Sequence, residues 1–490
     1  MREGAGLQLA ASLLHLPAMH RLVLAAALAA AAVPATAQSI SASDKAQGAK
    51  ANPQLLAEFG GKYDGPQAAY VEQVAKRVAV QSGLSNAQGD FTVALLNSPV
   101  ENAFAIPGGY IYVTRQLVAL MNSEAELASV MGHEVGHVAA RHSASRNRTS
   151  QISGVLAGIV GAVAGNGAIG QLVGAGAQQA AGLYTLKYGR DQEYAADGLG
   201  VQYITKAGYS PYAAADMLAQ LNAETTLQSR IAGRDANAVP GWASTHPNGV
   251  DRIRRAADLA ARSGAPDTVP PQDTAFLRRL DGMLYDDDPK EGVIDGQSFR
   301  HPGLRVRFAA PAGYTIANGA SAVTIAGEGG QAQFKTASAT TDLAAFVSER
   351  FRALGASSTG EVRRGSANGL DYAASTIGAS AGGRAVDATI VAYRFPSATN
   401  YLVIVTQRGA GLGALSSLVS SMAPLSAADA AAIKGKRLHI LTVKAGDTVD
   451  AFARRMAYPS YQRERFLTLN GLDDDATLKP GMLVKVVTTE

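Results

Sequence analysis

The feature that most constrains this chain is the segment His133-Glu134-Val135-Gly136-His137, which lies in a helix-compatible stretch from Glu126 to Ala140. Helix positions four apart are separated by roughly 40° of rotation, so both imidazoles project from one face and can share one metal ion. Glu134 lies beside them and is placed to act as a general base toward water. A helix with two surface histidines would show the same short string, so the rest of the chain must decide between these interpretations.

Metal ligands in this chain must come from His, Asp and Glu, because the sequence contains no cysteine. Disulfides, thiolate nucleophiles and thiolate zinc sites are thereby excluded. A second helix-like segment, Glu193-Tyr194-Ala195-Ala196-Asp197, offers a third ligand in Glu193. Asp197, one turn later, can orient a ligating imidazole. The combined pattern predicts one Zn²⁺ per chain.

His142 is a further histidine close to the motif. It follows His133 by nine residues, which on a continuous helix is a rotation of roughly 180°. We therefore expect its side chain to point away from the metal, and it is not predicted as a ligand.

Residues 100–115, Val-Glu-Asn-Ala-Phe-Ala-Ile-Pro-Gly-Gly-Tyr-Ile-Tyr-Val-Thr-Arg, together with the two helical segments, resemble the HtpX and CAAX-prenyl-endopeptidase family of zinc metallopeptidases over residues 54–260. That family is of the gluzincin type. The resemblance implies zinc bound by His133, His137 and Glu193, with Glu134 as the base. It also implies that the strand at Asn102, Ala103 and Phe104 holds a peptide substrate, since an edge strand can add an extended peptide by main-chain pairing. The alternative for Asn102 is a turn residue.

A fourth motif, Ser244-Thr245-His246-Pro247, is followed by Arg252. In the family that the chain resembles, the matching His and Arg lie close to the metal cleft. His246 could stabilise the oxyanion as a donor, or occupy the open zinc position and keep the enzyme latent. It could also be a loop residue that caps the next helix. Arg252 could be an oxyanion donor or a structural partner of Asp197.

The sequence predicts a multidomain chain. It comprises a signal peptide (1–37), a mainly α zincin-like peptidase domain with a short β hairpin (53–263), a linker with a short helix (264–298), an α+β domain of unassigned role (299–425) and a small βααβ module (437–490). The signal peptide is predicted from the apolar run Leu22–Val33 and the small-x-small site Ala35-Thr36-Ala37. An uncleaved anchor is the alternative, and the true start could be Met1 or Met19.

The last module is marked by Leu441–Val449, by Leu469-Asn470-Gly471-Leu472 and by Leu478–Val486. It resembles a LysM domain, which implies binding to N-acetylglucosamine polymers such as peptidoglycan. The alternative is a degenerate copy that packs against the peptidase, because a fold does not guarantee its function.

Taken together, these patterns predict a zinc endopeptidase of the bacterial periplasm or cell envelope that acts on unfolded or mis-assembled envelope proteins. The chain resembles the soluble, periplasmic branch of the family, without the helical repeats often found there. A peptidoglycan amidase or endopeptidase and a chaperone-like assembly factor with a latent zinc site are the alternatives.

The net charge of +4 is spread along the chain and indicates no nucleic-acid partner. Residues 151–182 carry no charged side chain and predict short helices over the active site or on a membrane surface, with insertion as the alternative.

Overall fold

The structure is a computed structural model that describes residues 39–84, 87–142, 188–233, 242–247, 249–267, 272–319, 322–381 and 384–490. The predicted signal peptide (1–37) and the uncharged segment 151–182 lie outside the described residues. Among the helices that the structure describes, none combines the length and the apolarity needed to cross a membrane.

The N-terminal half is mainly helical. Its helices are α1 (Ala42–Glu58), α2 (Gln67–Ala79), α3 (Ala87–Asp90), α4 (Arg115–Leu120), α5 (Glu124–Ala139), α6 (Arg190–Lys206), α7 (Ala213–Ala232), α8 (Trp242–Thr245), α9 (Val250–Arg262) and α10 (Thr274–Leu280).

One small sheet accompanies these helices, with strands β1 (Thr92–Leu96), β2 (Ala103–Ile106) and β3 (Tyr110–Thr114) in the order β1-β3-β2. Strands β2 and β3 form the antiparallel hairpin, and β1 pairs with β3 in parallel. The sequence predicts β1 as one half of a strand pair and Ala103–Val113 as its partner. The structure differs because the tight turn at Gly108 and Gly109, both with positive φ, folds the second segment into a hairpin of its own. Strand β2 is left at the edge of the sheet.

Helix α5 carries the histidine motif, and its start is well specified by local chemistry. The Ser123 side chain accepts a hydrogen bond from the backbone N–H of Glu126, and acidic residues Glu124 and Glu126 occupy the first turn. Both arrangements stabilise a helix N-terminus. The helix is buried from Leu127 to His137, so its metal-facing side is held inside the molecule.

Close contact between α5 and α6 depends on glycine. A Cβ atom on Gly136 would lie 2.9 Å from the carbonyl oxygen of Ala196, and one on Gly200 would lie 3.0 Å from the backbone nitrogen of His133. Only residues without a Cβ at these positions allow the two backbones to approach so closely. The approach brings Glu193 of α6 to the histidines of α5.

The C-terminal module contains β16 (Lys436–Thr442), α14 (Val449–Ala453), α15 (Gln462–Asn470) and β17 (Leu483–Thr489), and β16 and β17 pair antiparallel. Its apolar side chains belong to the same buried cluster as those of α2, α4 and α5. The contact includes a buried lysine, since Lys485 Nζ donates to the carbonyl oxygens of Ala119, Leu120 and Met121 at 2.8–2.9 Å. The module therefore packs against the helical domain.

Residues 264–298, predicted as a linker, differ from that prediction. Within them, α10 buries Phe276, Leu277 and Leu280 in the core of the helical domain, and β4 (Leu284–Tyr285) pairs with β16. Asp273 caps α10 through its side chain. Apolar residues at helical spacing after a good N-cap explain why this stretch folds onto its neighbours.

The middle region is an α+β arrangement with two antiparallel sheets. The first contains β8 (Thr315–Asn318), β9 (Val323–Gly327), β10 (Gly330–Ser338), β11 (Arg363–Ala367), β12 (Leu370–Ala381), β13 (Arg384–Arg394) and β14 (Ala398–Gln407) in the order β11-β12-β13-β14-β10-β9-β8. The second contains β5 (Val293–Asp295), β6 (Ser298–His301), β7 (Val306–Ala309) and β15 (Ala423–Pro424) in the order β15-β7-β6-β5. The helices α11 (Leu343–Ala353), α12 (Ser416–Ser421) and α13 (Ala427–Ala431) complete it.

Candidate metal centre

Four buried donor residues converge where α5, α6 and the loop after α8 meet. His133, His137, Glu193 and His246 each offer one ligand atom, and these atoms all lie within 4.8 Å of one another. The Nε2 atoms of His133 and His137 are 3.0 Å apart, as the four-residue spacing on one helix face predicts. Among the described residues this is the group whose chemistry could hold a metal ion.

The spacing of these donors suits a tetrahedral zinc ion. Zinc bonds of about 2.0–2.1 Å place tetrahedral ligand atoms about 3.3–3.4 Å apart. The structure has His246 Nδ1 3.1 Å from Glu193 Oε1 and 3.2 Å from His133 Nε2. His137 Nε2 lies 3.4 Å from Glu193 Oε1. A set of three imidazoles and one carboxylate is also the kind of set that zinc prefers, so the residues fit the predicted cofactor.

Two charged residues support the ligands from behind. Asp197 Oδ1 lies 2.9 Å from His133 Nδ1, the nitrogen that does not face the other donors. Arg252 donates through Nε and Nη2 to the two carboxylate oxygens of Asp197, at 2.8 and 2.7 Å. Its Nη1 atom lies 2.7 Å from Glu193 Oε2. Arg252 therefore joins Glu193 and Asp197 of α6 and limits their movement.

The electrostatics of the site keep the carboxyl groups of Glu193 and Asp197 ionised. Burial alone would raise the pKa of Glu193, but the neighbouring His246 and His137 outweigh it and hold that pKa well below its usual value. For Asp197, burial is likewise outweighed by Arg252, and the pKa is lowered. Burial, together with the charge of His133, lowers the pKa of His137 well below the usual value. Neutral imidazoles and ionised carboxylates are the forms that bind metal.

Glu134 lies beside the donor group and is fully buried. Its Oε1 atom is 3.6 Å from His246 Nε2, and among the described residues neither carboxylate oxygen has a hydrogen-bond partner. Burial raises the pKa of this carboxyl group. A buried carboxyl group whose two oxygens both lack a hydrogen-bond partner is unusual, and a catalytic role is one explanation for such a group.

His246 is held on both sides of its ring. Trp242 stacks on it with ring centroids 4.1 Å apart and an interplanar angle of 18°. Its Nδ1 atom points into the donor group, whereas its Nε2 atom lies 3.2 Å from the carbonyl oxygen of Ala103. His246 thus bridges the metal centre and strand β2.

Strand β2 faces this site with its outer edge, the one that does not pair with β3. The carbonyl oxygen of Ala103 faces His246, and that of Ala105 accepts a hydrogen bond from the Tyr188 hydroxyl at 3.2 Å. Asn102 is fully buried, and its Oδ1 accepts from the Thr245 hydroxyl at 3.1 Å. The strand residues with outward carbonyls are therefore the two alanines.

Phe104, predicted with Asn102 and Ala103 as substrate-binding, turns its side chain to the other face of the sheet. Its ring packs between Phe59 and Tyr112, with centroid distances of 5.0 and 4.8 Å. Its backbone pairs with Tyr112 of β3. Phe104 therefore contributes its side chain and its backbone pairing to the support of β2, whereas Ala105 lies with Ala103 at the outer edge of the strand.

The structure also brings Tyr188, Trp242 and His142 to the site. Tyr188 stacks on His137 with ring centroids 3.5 Å apart. The expectation that His142 points away is not met, because α5 ends at Ala139 and the ring returns to contact His137. Trp242 is the one tryptophan of the chain and precedes the Ser-Thr-His-Pro motif, so its position in the sequence could have identified it as a site residue. Tyr188 carries no motif that would have identified it.

Residues 66–260 match the family model described as Peptidase family M48. The chain is 29% identical over 212 residues to the mitochondrial metalloendopeptidase OMA1 of Schizosaccharomyces pombe, covering 41% of this chain and 56% of that protein. It is 30% identical over 237 residues to the beta-barrel assembly-enhancing protease of Yersinia pestis, covering 46% of each. Its likeness to the beta-barrel assembly-enhancing protease of Escherichia coli K12 is 28% over 203 residues, 39% of this chain and 38% of that protein.

The chain spans about half the length of the first two of these relatives. The matched part contains the whole donor group, Glu134, Asp197 and Arg252. The chain therefore carries, over residues 66–260, a peptidase domain of family M48, the domain of a metalloprotease.

Proposed function

We propose that this protein is a zinc-dependent endopeptidase of the bacterial cell envelope. The observation that carries the proposal is the group of His133, His137, Glu193 and His246, buried beside Glu134 and spaced for a tetrahedral ion. The resemblance of residues 100–115 to the HtpX and CAAX-prenyl-endopeptidase type, in its soluble exported branch, supports the finer assignment.

In the proposed reaction, a zinc ion held by His133, His137 and Glu193 would polarise the scissile carbonyl and lower the pKa of the attacking water. Glu134 takes the proton from that water and delivers it to the leaving amine. Burial raises the pKa of Glu134, which suits a group that must both accept and release a proton. Arg252 keeps Glu193 and Asp197 in place, which supports its role as their structural partner over that of an oxyanion donor.

The peptide substrate is proposed to lie along strand β2. The outward carbonyl oxygens of Ala103 and Ala105 are two residues apart, which is the spacing at which a strand edge offers pairing groups. Asn102, immediately before them, has an Nδ2 group without a hydrogen-bond partner among the described residues, and it would be available to a substrate carbonyl. Such main-chain pairing accepts many sequences, which suits unfolded protein as substrate.

In the present arrangement His246 takes the fourth donor position and contacts the Ala103 carbonyl oxygen. We assign this arrangement to a latent state, which substrate or a partner opens by moving the loop after α8. A metal centre with four protein ligands is closed, whereas a catalytic zinc keeps one position open. The chaperone-like alternative requires that this latent state never opens.

The predicted signal peptide over 1–37 and the names of two relatives, beta-barrel assembly-enhancing proteases, support a periplasmic location and unfolded or mis-assembled envelope proteins as substrates. One Zn²⁺ per chain is the proposed cofactor.

The decisive experiment uses Glu134→Gln in the full chain. The variant should bind zinc with the wild-type stoichiometry but lose cleavage of an unfolded protein such as reduced casein by at least 1,000-fold, since the base is gone. Glu72→Gln, an exposed carboxylate on α2 paired with Lys76, is the matched control and should cleave normally. Undiminished cleavage by Glu134→Gln would exclude the mechanism. If the variant retains full function in a deletion strain, the chaperone-like alternative is favoured.

A second proposal concerns peptidoglycan. Two loops of the module are exposed, residues 444–446 before α14 and residues 479–481 before β17, while its apolar side chains are buried in the cluster that it shares with the helical domain. The LysM-like module could therefore bind glycan on its outer side while it packs on its inner side. Sedimentation with purified peptidoglycan tests binding, and release of muropeptides tests the amidase or endopeptidase alternative. Absence of both outcomes leaves packing as the role of the module.

A further inference from the structure

The chain reverses sharply after the motif helix, and this reversal returns His142 to the metal centre. Helix α5 ends at Ala139, and Arg141 adopts a left-handed conformation with φ of 56°. Residues with a side chain adopt this conformation rarely, and it turns the backbone away from the helical path. Arg141 Nη2 lies 3.4 Å from Asp44 Oδ2 of α1, on the outer side of the turn.

As a result, His142 lies against the ligand His137. The two Nδ1 atoms are 2.9 Å apart, and the ring planes are inclined at 69°. His142 is buried, with an exposed fraction of 9%. The opposite constraint on His137 comes from Tyr188, whose ring stacks face to face on the imidazole at 3.5 Å. Tyr188 therefore fixes the plane of the His137 ring, and His142 contacts the edge of that ring.

The chemistry of this contact follows from the direction of the ligand atom. His137 Nε2 belongs to the donor group, so its lone pair must be free for the metal. In a neutral imidazole the proton is then on Nδ1, which must donate to an acceptor. The Nδ1 atom of His142 is at the right distance to accept it, provided that His142 carries its own proton on Nε2.

The three ligands that lie on helices, His133, His137 and Glu193, thus each have a different supporting residue. Asp197 lies behind His133, and Arg252 lies behind Glu193. For His137, the corresponding group is His142. Partners of this kind fix the tautomer and ring orientation of a ligating histidine, and their loss typically weakens metal binding by 10- to 100-fold.

We propose that His142 is a positioning residue of the metal centre, which accepts the Nδ1 proton of His137 and so directs Nε2 toward zinc. The proposal rests on the proposed zinc site but not on the identity of the substrate. It also assigns a purpose to the left-handed turn at Arg141, after which His142 lies against His137.

The test compares His142→Ala with His142→Asn, whose amide oxygen can take the place of the Nδ1 acceptor. Zinc affinity is measured by competition with a chelator. Ala should weaken it about 10- to 100-fold, and Asn should restore it to within a few-fold of the wild type. The absorption spectrum of the cobalt(II)-loaded protein, which reports ligand geometry, should change with Ala and return with Asn. For the peptidase, Ala should lower kcat with little change in KM.

His439→Ala removes an imidazole in the C-terminal module, on β16, and is the matched control. Unchanged zinc affinity in His142→Ala would overturn the proposal, as would an Asn variant no better than Ala in a folded protein. If the Ala variant does not fold, His142→Asn decides alone, since a tenfold loss there also overturns it. The zinc affinity and the cobalt spectrum do not require proteolysis, so a zinc-binding protein without peptidase activity would contradict the proposed function and leave this inference intact.

Discussion

The imidazole of His246 lies 3.2 Å from the carbonyl oxygen of Ala103 through Nε2, while its Nδ1 atom is 3.1 Å from Glu193 Oε1. One side chain thus occupies a donor position of the candidate metal centre and a pairing position on the edge of β2, the strand along which the substrate is proposed to lie. Both positions are needed by a peptide that is to be cleaved.

We therefore predict that His246→Ala raises the cleavage of unfolded protein several-fold, because it frees the fourth donor position and the Ala103 carbonyl. Initial rates at saturating zinc measure the effect, with His439→Ala as the control. A large fall in kcat would show instead that His246 stabilises the oxyanion, the other role left open by the sequence.

Arg252→Lys should damage the metal centre although it keeps the charge. The guanidinium contacts both oxygens of Asp197 and one oxygen of Glu193, whereas an ammonium is a point charge that cannot bridge them. We expect zinc affinity to fall about 10- to 100-fold and the free energy of unfolding to fall by about 3 kcal/mol. Arg254→Lys, at an exposed pair with Asp251, should change neither. Unaltered zinc affinity in Arg252→Lys would contradict the bridging role.

The metal centre was the part of this molecule most open to prediction from sequence. His133, Glu134 and His137 share one helix, as do Glu193 and Asp197, so their relative placement follows from helical spacing alone. His142 was placed wrongly because the same spacing was extended past the real end of α5, and the left-handed Arg141 leaves no signal in a single sequence.

Long-range packing also could not be predicted from the sequence. The parallel pairing of β1 with β3 depends on hairpin geometry, and the burial of α10 depends on a neighbour far along the chain. The packing of the C-terminal module is one of two alternatives that the sequence allows. Apolar side chains that line an interface show the same sequence pattern as those in the module's own hydrophobic core.

Lys485→Met tests how strongly the C-terminal module holds the helical domain. Lys485 is fully buried, and its ammonium satisfies three carbonyl groups at the end of α4, just before the N-cap of α5. Methionine preserves the volume but removes this donor from all three carbonyls, of which that of Leu120 keeps the Asn122 amide, so the free energy of unfolding should fall by about 3 kcal/mol. Denaturant unfolding measures the change, and the exposed Lys479→Met is the control. An unchanged midpoint in Lys485→Met would show that the contact contributes little.

Glu58, the last residue of α1, provides a test of pH dependence away from the metal. Burial raises its pKa from 4.5 to about 7, and among the described residues its Oε2 atom has no hydrogen-bond partner. The folded chain therefore binds this proton more tightly than the unfolded chain does. The stability contributed by the protonated form is fully present below the unfolded pKa and is lost as the pH rises through about 7.

Glu58→Gln mimics the protonated carboxyl at every pH, so its advantage over the wild type should grow with pH. The difference in pKa corresponds to about 3 kcal/mol in total, of which about 2 kcal/mol should develop between pH 5 and pH 8. Guanidinium unfolding of both proteins at the two pH values measures this difference, with the exposed Glu72→Gln expected to show none. A stabilisation by Glu58→Gln that is equal at both pH values would mean that the residue acts through packing and not through its ionisation, since a raised pKa in the folded chain makes stability fall as the pH rises.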